Sequence, residues 1–250
     1  MTLGWTRLTP QSFEDLVQRA SRRYRPSGIT AWQFARGKLK GDPLYRAVWE
    51  QTALRESGTL IDVGCGQGLM LALLSEDEKS RTTLTRTEPG RHPGETPAPR
   101  TLIGVETRPR IARIAQDALG SDATILSGDA RLTSLPASRT ILVFDVLHMM
   151  PAADQESLLR ALAACLEVGG TLLIREADAQ AGWKFNCVKF GNRFKGLING
   201  YSTRAFHFRS GTEWLTLLRS LGLSAKSQPM GQGTPFGNLL LSAVKLPPAE

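Results

Sequence analysis

Cysteine is scarce in this chain, and so are apolar runs long enough to anchor it in a membrane. Only three of the 250 residues are cysteine, at positions 65, 165 and 187. Their odd number and wide spacing exclude a disulfide framework and every C-x-x-C zinc pattern. The amino terminus has no apolar core of a secretory signal, and no run approaches the ~18–20 residues of a membrane-spanning helix. The sequence therefore predicts a cytoplasmic protein without a transmembrane segment.

Acidic residues are in deficit. The chain has 23 Asp and Glu against 31 Lys and Arg, a net charge of +8 and a pI near 9.8. This excess favours an anionic partner such as nucleic acid, a lipid headgroup surface or an acidic protein, although an arginine-rich chain can be basic without one. The length fits one large α/β domain with a small appendage.

Residues 1–57 are predicted to form an N-terminal helical extension. They carry ten basic and five acidic residues. Apolar residues at helical spacing, separated by Pro- and Gly-containing breaks, place helices at about 10–20, 31–39 and 44–55. We expect this extension to close over the ligands of the domain that follows.

From residue 58 onward, short β-rich runs alternate with helical patterns. The predicted strands are at 59–63, 102–105, 123–126, 140–144, 171–174, 223–227 and 238–244. Helices between the first five strands indicate βαβ units, whereas only a loop joins the last two, which should pair antiparallel. The prediction for residues 58–250 is an α/β domain with a doubly wound, mainly parallel, seven-stranded sheet and an antiparallel last strand.

Two segments interrupt this alternation. Residues 75–100 contain four prolines and five threonines without apolar periodicity, which predicts a mobile surface insertion. Residues 177–209 contain six basic residues, one acidic residue and seven aromatic residues, and are predicted to form a basic, aromatic substrate cap. This cap could be an acceptor pocket, a surface for an acidic carrier protein, a peripheral membrane contact or an ordinary lid over the core.

A glycine-rich loop follows the first strand, in the run Leu60 to Gly68 (LIDVGCGQG). Its glycines allow a ligand to approach the backbone closely. The spacing is Gly64-x-Gly66-x-Gly68, with Leu69 where a dinucleotide-binding GxGxxG loop would place its third glycine. The pattern therefore disfavours a nicotinamide oxidoreductase.

Three carboxylates follow the next strands in order. Glu106 ends the second strand, Asp129 follows the third, and Asp145 ends the fourth. The carboxyl ends of the strands are where open α/β sheets bind ligands. At these places the first two carboxylates can bind ribose hydroxyls and an adenine amino group, respectively.

These motifs, DVGCGQG, GVE, GDA and FDVLHMMP, together with LEVGGTLLI before the fifth strand, resemble the class I S-adenosylmethionine-dependent methyltransferases over roughly residues 58–245. The resemblance implies their Rossmann-like fold, with S-adenosyl-L-methionine as cofactor and no metal. It implies a cofactor site formed by Asp62, Gly64, Cys65, Gly66, Gly68, Glu106, Thr107, Asp129, Ala130, Asp145 and Val146. The gap from Gly68 to Glu106 is longer than the family's usual spacing, and the Pro-rich insertion accounts for it.

A narrower resemblance rests on three further strings: GKLKGDPLY at 37–45, HFRS at 207–210 and GTPFGN at 233–238. They are similar to the methyltransferases encoded in bacterial aryl-polyene pigment gene clusters. That resemblance implies an aromatic or polyene acyl acceptor that an acidic acyl carrier protein could hold.

The acceptor is predicted to be a small molecule with a hydroxyl group, for which a general base is needed. The candidates are His148, after the fourth strand, and His207, at the end of the cap, although either could have a structural role only. An RNA methyltransferase is the alternative enzyme, but the residues after Phe144 are Asp-Val-Leu-His and not Asp/Asn-Pro-Pro-aromatic. A non-catalytic cofactor-binding scaffold is the alternative of another class.

Overall fold

The computed structural model describes residues 10–51, 54, 56–87, 100–180, 206–230 and 237–248. Seven helices lie in these ranges: α1 Pro10–Arg22, α2 Ile29–Gly41, α3 Pro43–Trp49, α4 Leu69–Thr87, α5 Pro109–Leu119, α6 Ala152–Cys165 and α7 Gly211–Ser220. Seven strands accompany them: β1 Gly58–Val63, β2 Arg100–Glu106, β3 Thr124–Ser127, β4 Ser138–Phe144, β5 Leu166–Ala177, β6 Leu223–Pro229 and β7 Asn238–Lys245.

All seven strands form one sheet in the order β3-β2-β1-β4-β5-β7-β6. The first five strands are parallel, while β7 lies between β5 and β6 and is antiparallel to both. The predicted fold class is thus confirmed. Reversal of strand order between β1 and β4 creates a crevice at their carboxyl ends, where such sheets bind ligands.

Alternation along β1 assigns its side chains to two cores. Leu60 belongs to a core shared with α1 to α4, and Asp62 points to that same face of the sheet. Ile61 and Val63 belong to the opposite core, which includes residues of α6 and α7. The N-terminal helices therefore pack directly on the face of the sheet that carries Asp62.

Helix α7 begins as its sequence predicts. The Ser210 side chain accepts from the Glu213 amide, and the Glu213 carboxylate accepts from the Ser210 amide at 2.7 Å. This reciprocal pair satisfies amides that would otherwise lack a partner at the helix start. Trp214 and Leu218 then lie in the core.

Three sequence-based boundaries are wrong. Helix α3 ends at Trp49 and does not extend to residue 55, and β5 spans Leu166–Ala177, beyond both ends of the strand predicted at 171–174. Residues 75–87, expected to lie in a mobile insertion, continue α4. Their polar side chains are paired with other elements: Asp77 accepts from the Trp49 indole at 2.9 Å, and Glu78 pairs with Arg100. Apolar periodicity is therefore no guide to this part of the helix.

Residues 88–99 of the predicted insertion and 181–205 of the predicted cap lie outside the described residues. Within the described part of the chain, no helix is both long enough and apolar enough to span a bilayer.

Candidate functional site

The glycine loop is bound to the end of β2. The Gly64 and Cys65 amides donate to the Val105 carbonyl at 2.8 and 3.1 Å, and α4 begins directly after the loop. The Cys65 thiol is partly buried, and burial raises its pKa, so it acts as a packing group here. The loop therefore presents backbone, and no charged side chain, at the sheet's carboxyl edge.

Two glycines of this loop have different surroundings. Gly64 has φ +71°, and a Cβ there would lie 2.4 Å from Cγ2 of Val146, in the loop after β4. Gly66 has φ +58°, and a Cβ there would meet no atom within 4 Å. Gly64 thus lets two loops touch, whereas Gly66 leaves room for a ligand against its backbone.

Glu106 is buried at the end of β2 and is held by the glycine loop. Its carboxylate accepts from the Gly66 amide at 3.0 Å and from the Arg108 amide and Nε at 2.9 and 2.8 Å, with the Thr107 hydroxyl at 3.4 Å. Burial acts to raise the pKa of Glu106, but the hydrogen bonds from Arg108 and Gly66 outweigh it and lower the pKa. The carboxylate is therefore anionic and oriented.

Asp62 is only 4% exposed, and within the described residues its side chain accepts no hydrogen bond. Burial, with the nearby charge of Glu106, raises the pKa of Asp62 to about 7. A buried carboxylate of this kind is stabilised when a cationic ligand group lies beside it. In the glycine loop that follows, the buried Gln67 Oε1 has no donor among the described residues.

Asp129 and Ala130 follow β3. Asp129 accepts from the Arg131 amide at 2.9 Å and from the Arg131 guanidinium at 2.6 Å, and these hydrogen bonds lower the pKa of Asp129. Ala130 is buried. Arg131 also pairs with Asp154 at the start of α6. The predicted adenine contact of Asp129 stays a prediction.

Asp145 follows β4 with φ +59°, which is uncommon for a residue other than glycine. Its carboxylate receives two hydrogen bonds from the Arg175 guanidinium on β5, the Nε one at 2.9 Å, and its side chain is still 43% exposed. Arg175 also binds Asp42 at the start of α3, at 2.7 and 2.8 Å. Sequence reasoning missed Arg175 and Asp42, although a charged residue inside a buried strand was an available signal.

His148 is buried and paired with Glu176. Its Nδ1 lies 2.7 Å from Glu176 Oε2, while Glu176 Oε1 accepts from the Val146 and Leu147 amides at 3.1 and 2.7 Å. Burial lowers the pKa of His148, but the charge and hydrogen bond of Glu176 outweigh it and raise the pKa above its ordinary value. Glu176, also missed from the sequence, therefore orients both the loop after β4 and the imidazole.

The described end of the predicted cap lies against this pair. The Phe208 ring stacks on His148 with centroids 5.2 Å apart and planes at 8°, and Phe206 lies 5.7 Å from the same ring. The His207 amide donates to the His148 carbonyl at 2.9 Å, yet the His207 side chain is exposed. The structure thus brings aromatic rings to His148 and leaves the His207 imidazole at the surface.

The donors and acceptors fit S-adenosylmethionine. Asp62 suits its positive charge, Gly66 permits a close approach, and Glu106 can accept from hydroxyl groups. The buried oxygen of Gln67 adds an acceptor without a donor.

Comparison with known proteins agrees with this fit. Residues 31–228 match a family model described as a methyltransferase domain. No curated protein matches the sequence. Among solved structures, an O-methyltransferase family protein from Burkholderia thailandensis has a TM-score of 0.62 at 16% identity, covering 98% of this chain and 65% of that one.

Two further solved structures are similar in fold. Human N-acetylserotonin methyltransferase in complex with SAM has a TM-score of 0.55 at 16% identity, covering 94% of this chain and 59% of that one. An O-methyltransferase family 2 protein from Planctomyces limnophilus in complex with apigenin has a TM-score of 0.57 at 16% identity, covering 93% and 62%. This chain therefore spans about 59–65% of the length of these three proteins. Since the family model covers well over half of the sequence, the chain belongs to the methyltransferase domain family.

Proposed function

We propose that this enzyme methylates a hydroxyl group of a small aromatic or acyl acceptor, with His148 as general base. The observation that carries the proposal is the buried pair of His148 and Glu176, at 2.7 Å, under the rings of Phe206 and Phe208. It lies directly after Asp145, on the loop that touches Gly64 of the cofactor loop.

The cofactor supplies the methyl group on a positively charged sulfur, so the chain's own task is to align and deprotonate the acceptor. With Nδ1–H donated to Glu176, the neutral His148 ring carries its lone pair on Nε2. The acceptor's hydroxyl proton moves to this nitrogen as the oxygen gains the methyl group. Glu176 stabilises the resulting imidazolium, and its own carboxylate does not need to take the proton.

The aromatic residues support an aromatic or extended acyl acceptor. Phe206 and Phe208 supply apolar contact area beside the base. Two of the similar solved structures are named for N-acetylserotonin and apigenin, which are small aromatic molecules. Their sequence identity to this chain is 16% in each case, so the choice of acceptor rests on the aromatic residues beside His148.

The test is a His148→Gln variant assayed with apigenin and 4-hydroxycinnamic acid as probe acceptors. Turnover should fall by about 10²–10⁴-fold, the range that a general base contributes, with unchanged affinity for S-adenosylhomocysteine. His207→Gln is the matched control, and its turnover should stay near the wild-type value. Equal losses in both variants, or methylation of RNA but of neither phenol by the wild-type enzyme, would overturn the proposal.

We also propose that an acidic acyl carrier protein presents the acceptor, as the aryl-polyene resemblance implies. Residues 19–41 contain seven basic and no acidic residues. The exposed side chains of this segment include the basic Arg22, Arg25, Arg36 and Lys40 and the apolar Ile29 and Phe34. Opposite charge steers such encounters, and exposed apolar groups stabilise them.

A purified bacterial acyl carrier protein is the probe for this partner. It should bind the wild-type enzyme in a salt-dependent manner, and the double variant Arg36→Glu, Lys40→Glu should weaken binding by tenfold or more. Affinity of that variant for S-adenosylhomocysteine should be unchanged. Binding to anionic lipid vesicles or to RNA, but not to the carrier protein, would contradict this proposal.

A further inference from the structure

The N-terminal helices contact both loops that border the proposed methionine end of the cofactor site. One contact is Tyr24, which is fully buried and donates its hydroxyl hydrogen bond to the Gln67 carbonyl at 2.8 Å. Gln67 lies between Gly66 and Gly68. The position of the glycine loop is therefore tied to the turn after α1.

The second contact is Asp42, between α2 and α3. Its Oδ1 accepts from the Leu44 amide at 3.0 Å and so begins α3. Both carboxylate oxygens also accept from one nitrogen of Arg175, at 2.7 and 2.8 Å. The start of α3 and the end of β5 are thus joined by a nearly buried ion pair, since the side chain of Arg175 is 5% exposed and that of Asp42 12%.

Arg175 uses its other edge for Asp145. Its Nε and second terminal nitrogen donate to the two oxygens of Asp145, and its backbone carbonyl accepts from the Asp145 amide at 3.0 Å. Asp145 has φ +59°, a conformation that persists only where surrounding contacts hold it. Asp42 therefore limits where the guanidinium can lie, and the guanidinium limits where the Asp145 carboxylate can lie.

We propose that Tyr24 and Asp42 are positioning residues through which the N-terminal helices set the affinity for the cofactor. Asp42 acts on Asp145 through Arg175, and Tyr24 acts on the glycine loop through the Gln67 carbonyl. The inference deepens the assignment of S-adenosylmethionine to these loops and rests on it. Linkage makes the effect reciprocal: a cofactor that prefers the joined arrangement also stabilises the N-terminal helices on the sheet.

The chain offers a matched control for this inference. Arg23, next to Tyr24, pairs with Asp122 at 2.6 Å and with Glu76 at 2.6 Å. This cluster also ties the N-terminal helices to the body of the protein, but it joins the turn after α1 to α4 and to the turn after α5, and the hydrogen bonds of Arg23 go to neither cofactor loop. An Asp122→Asn substitution therefore loosens the same helices without touching either loop.

The experiment is calorimetric titration with S-adenosylhomocysteine of the wild-type protein, Asp42→Asn, Tyr24→Phe, their double variant and Asp122→Asn. Asp42→Asn and Tyr24→Phe should each weaken binding by about fivefold or more. The double variant should lose less affinity than the product of the two single fold-losses, because both contacts position the same rigid segment. Asp122→Asn should bind within twofold of the wild-type value while unfolding at lower urea.

Hydrogen exchange gives a readout that a merely structural role would not change. Saturating S-adenosylhomocysteine should slow amide exchange in α2 and α3 of the wild-type protein, and this protection should shrink in Asp42→Asn. Gly66→Val separates the two levels of inference. If it retains binding, the cofactor assignment is wrong. If Gly66→Val abolishes binding, the cofactor assignment stands and the other variants test the positioning role alone. That role is overturned if Asp42→Asn and Tyr24→Phe bind S-adenosylhomocysteine like the wild-type protein, or if Asp122→Asn loses as much affinity as they do.

Discussion

Two consecutive residues of β5 organise two different halves of the site. Arg175 points toward the N-terminal helices and holds Asp42 and Asp145, whereas Glu176 points to the other side and holds His148. Side chains of a strand alternate between the two faces of a sheet. One dipeptide can therefore place a cation on the proposed cofactor side and a carboxylate on the proposed acceptor side. Substitutions in the two halves should then show in different assays.

The largest effect is expected for a substitution of Glu176. In Glu176→Gln the new amide donates to His148 Nδ1, which moves the ring proton to Nε2 and removes the base. Turnover on a phenolic probe should fall by about 10²–10⁴-fold. Because the charge of Glu176 raises the pKa of His148, any residual activity should have its acidic limb at lower pH than the wild-type profile. Turnover measured over a pH series gives both the loss of activity and the shift of the acidic limb. Reduced affinity of Glu176→Gln for S-adenosylhomocysteine would contradict the separation of the site into two halves.

The next largest effect, on stability, is expected for a substitution of Arg175. Arg175→Met leaves the partly buried carboxylates of Asp42 and Asp145 without their cation and should cost about 3–5 kcal/mol in the free energy of unfolding. Urea titration measures the loss. Arg139→Met is the control: Arg139 pairs with Glu56 at the surface, so its removal should cost at most about 1 kcal/mol. Equal losses of unfolding free energy in the two variants would show that burial does not make the Arg175 pairs more stabilising than the Arg139 pair.

Glu106→Ala gives a smaller effect that is confined to the cofactor side. Loss of a carboxylate that accepts from ligand hydroxyls should weaken S-adenosylhomocysteine binding by about 1–3 kcal/mol. Calorimetry measures the change, and turnover at saturating cofactor should be close to the wild-type value. A turnover defect that saturating cofactor does not restore would place Glu106 on the acceptor side as well.

The last prediction concerns pH. Burial raises the pKa of Asp62 to about 7, well above the value of about 4 in an unfolded chain. The folded state therefore binds more protons between these values, and the unfolding free energy of the ligand-free protein should fall as pH rises through this range. Asp62→Asn should flatten that dependence, and the exposed Asp117→Asn should keep it. An unchanged slope in Asp62→Asn would assign the dependence to other groups.

The two halves also differ in how far the sequence predicts them. The proposed cofactor half follows from residues at strand ends: Gly66, Glu106 and Asp145 follow successive strands in an order typical of one family. Arg175 and Glu176 were missed because they fall just beyond the predicted fifth strand at 171–174. Only their partners Asp42 and His148, 133 and 28 residues away along the chain, explain why buried charges are tolerated there.

Helix α4 illustrates the same limit in the fold. The residues after Ser75 lack an apolar stripe, and the helix persists because its polar side chains meet partners on α1, α3 and β2. Sheet order and strand direction were predictable, since alternating strands and helices permit few arrangements. Local sequence periodicity does not indicate which distant charged residues will pair. Neither the length of α4 nor the pairing of Arg175 with Asp42 and Asp145 was therefore predictable.

The missing side chain of Gly64 has a consequence for how this enzyme can be altered. A methyl group at that position would occupy the space of Val146 Cγ2, at 2.4 Å, and Val146 is two residues before His148. Any larger residue at 64 would have to displace Val146, which lies on the same loop as the proposed base His148. The absence of a side chain at position 64 therefore lets the glycine loop and the loop after β4 touch, so the proposed cofactor and acceptor sites are coupled at this position.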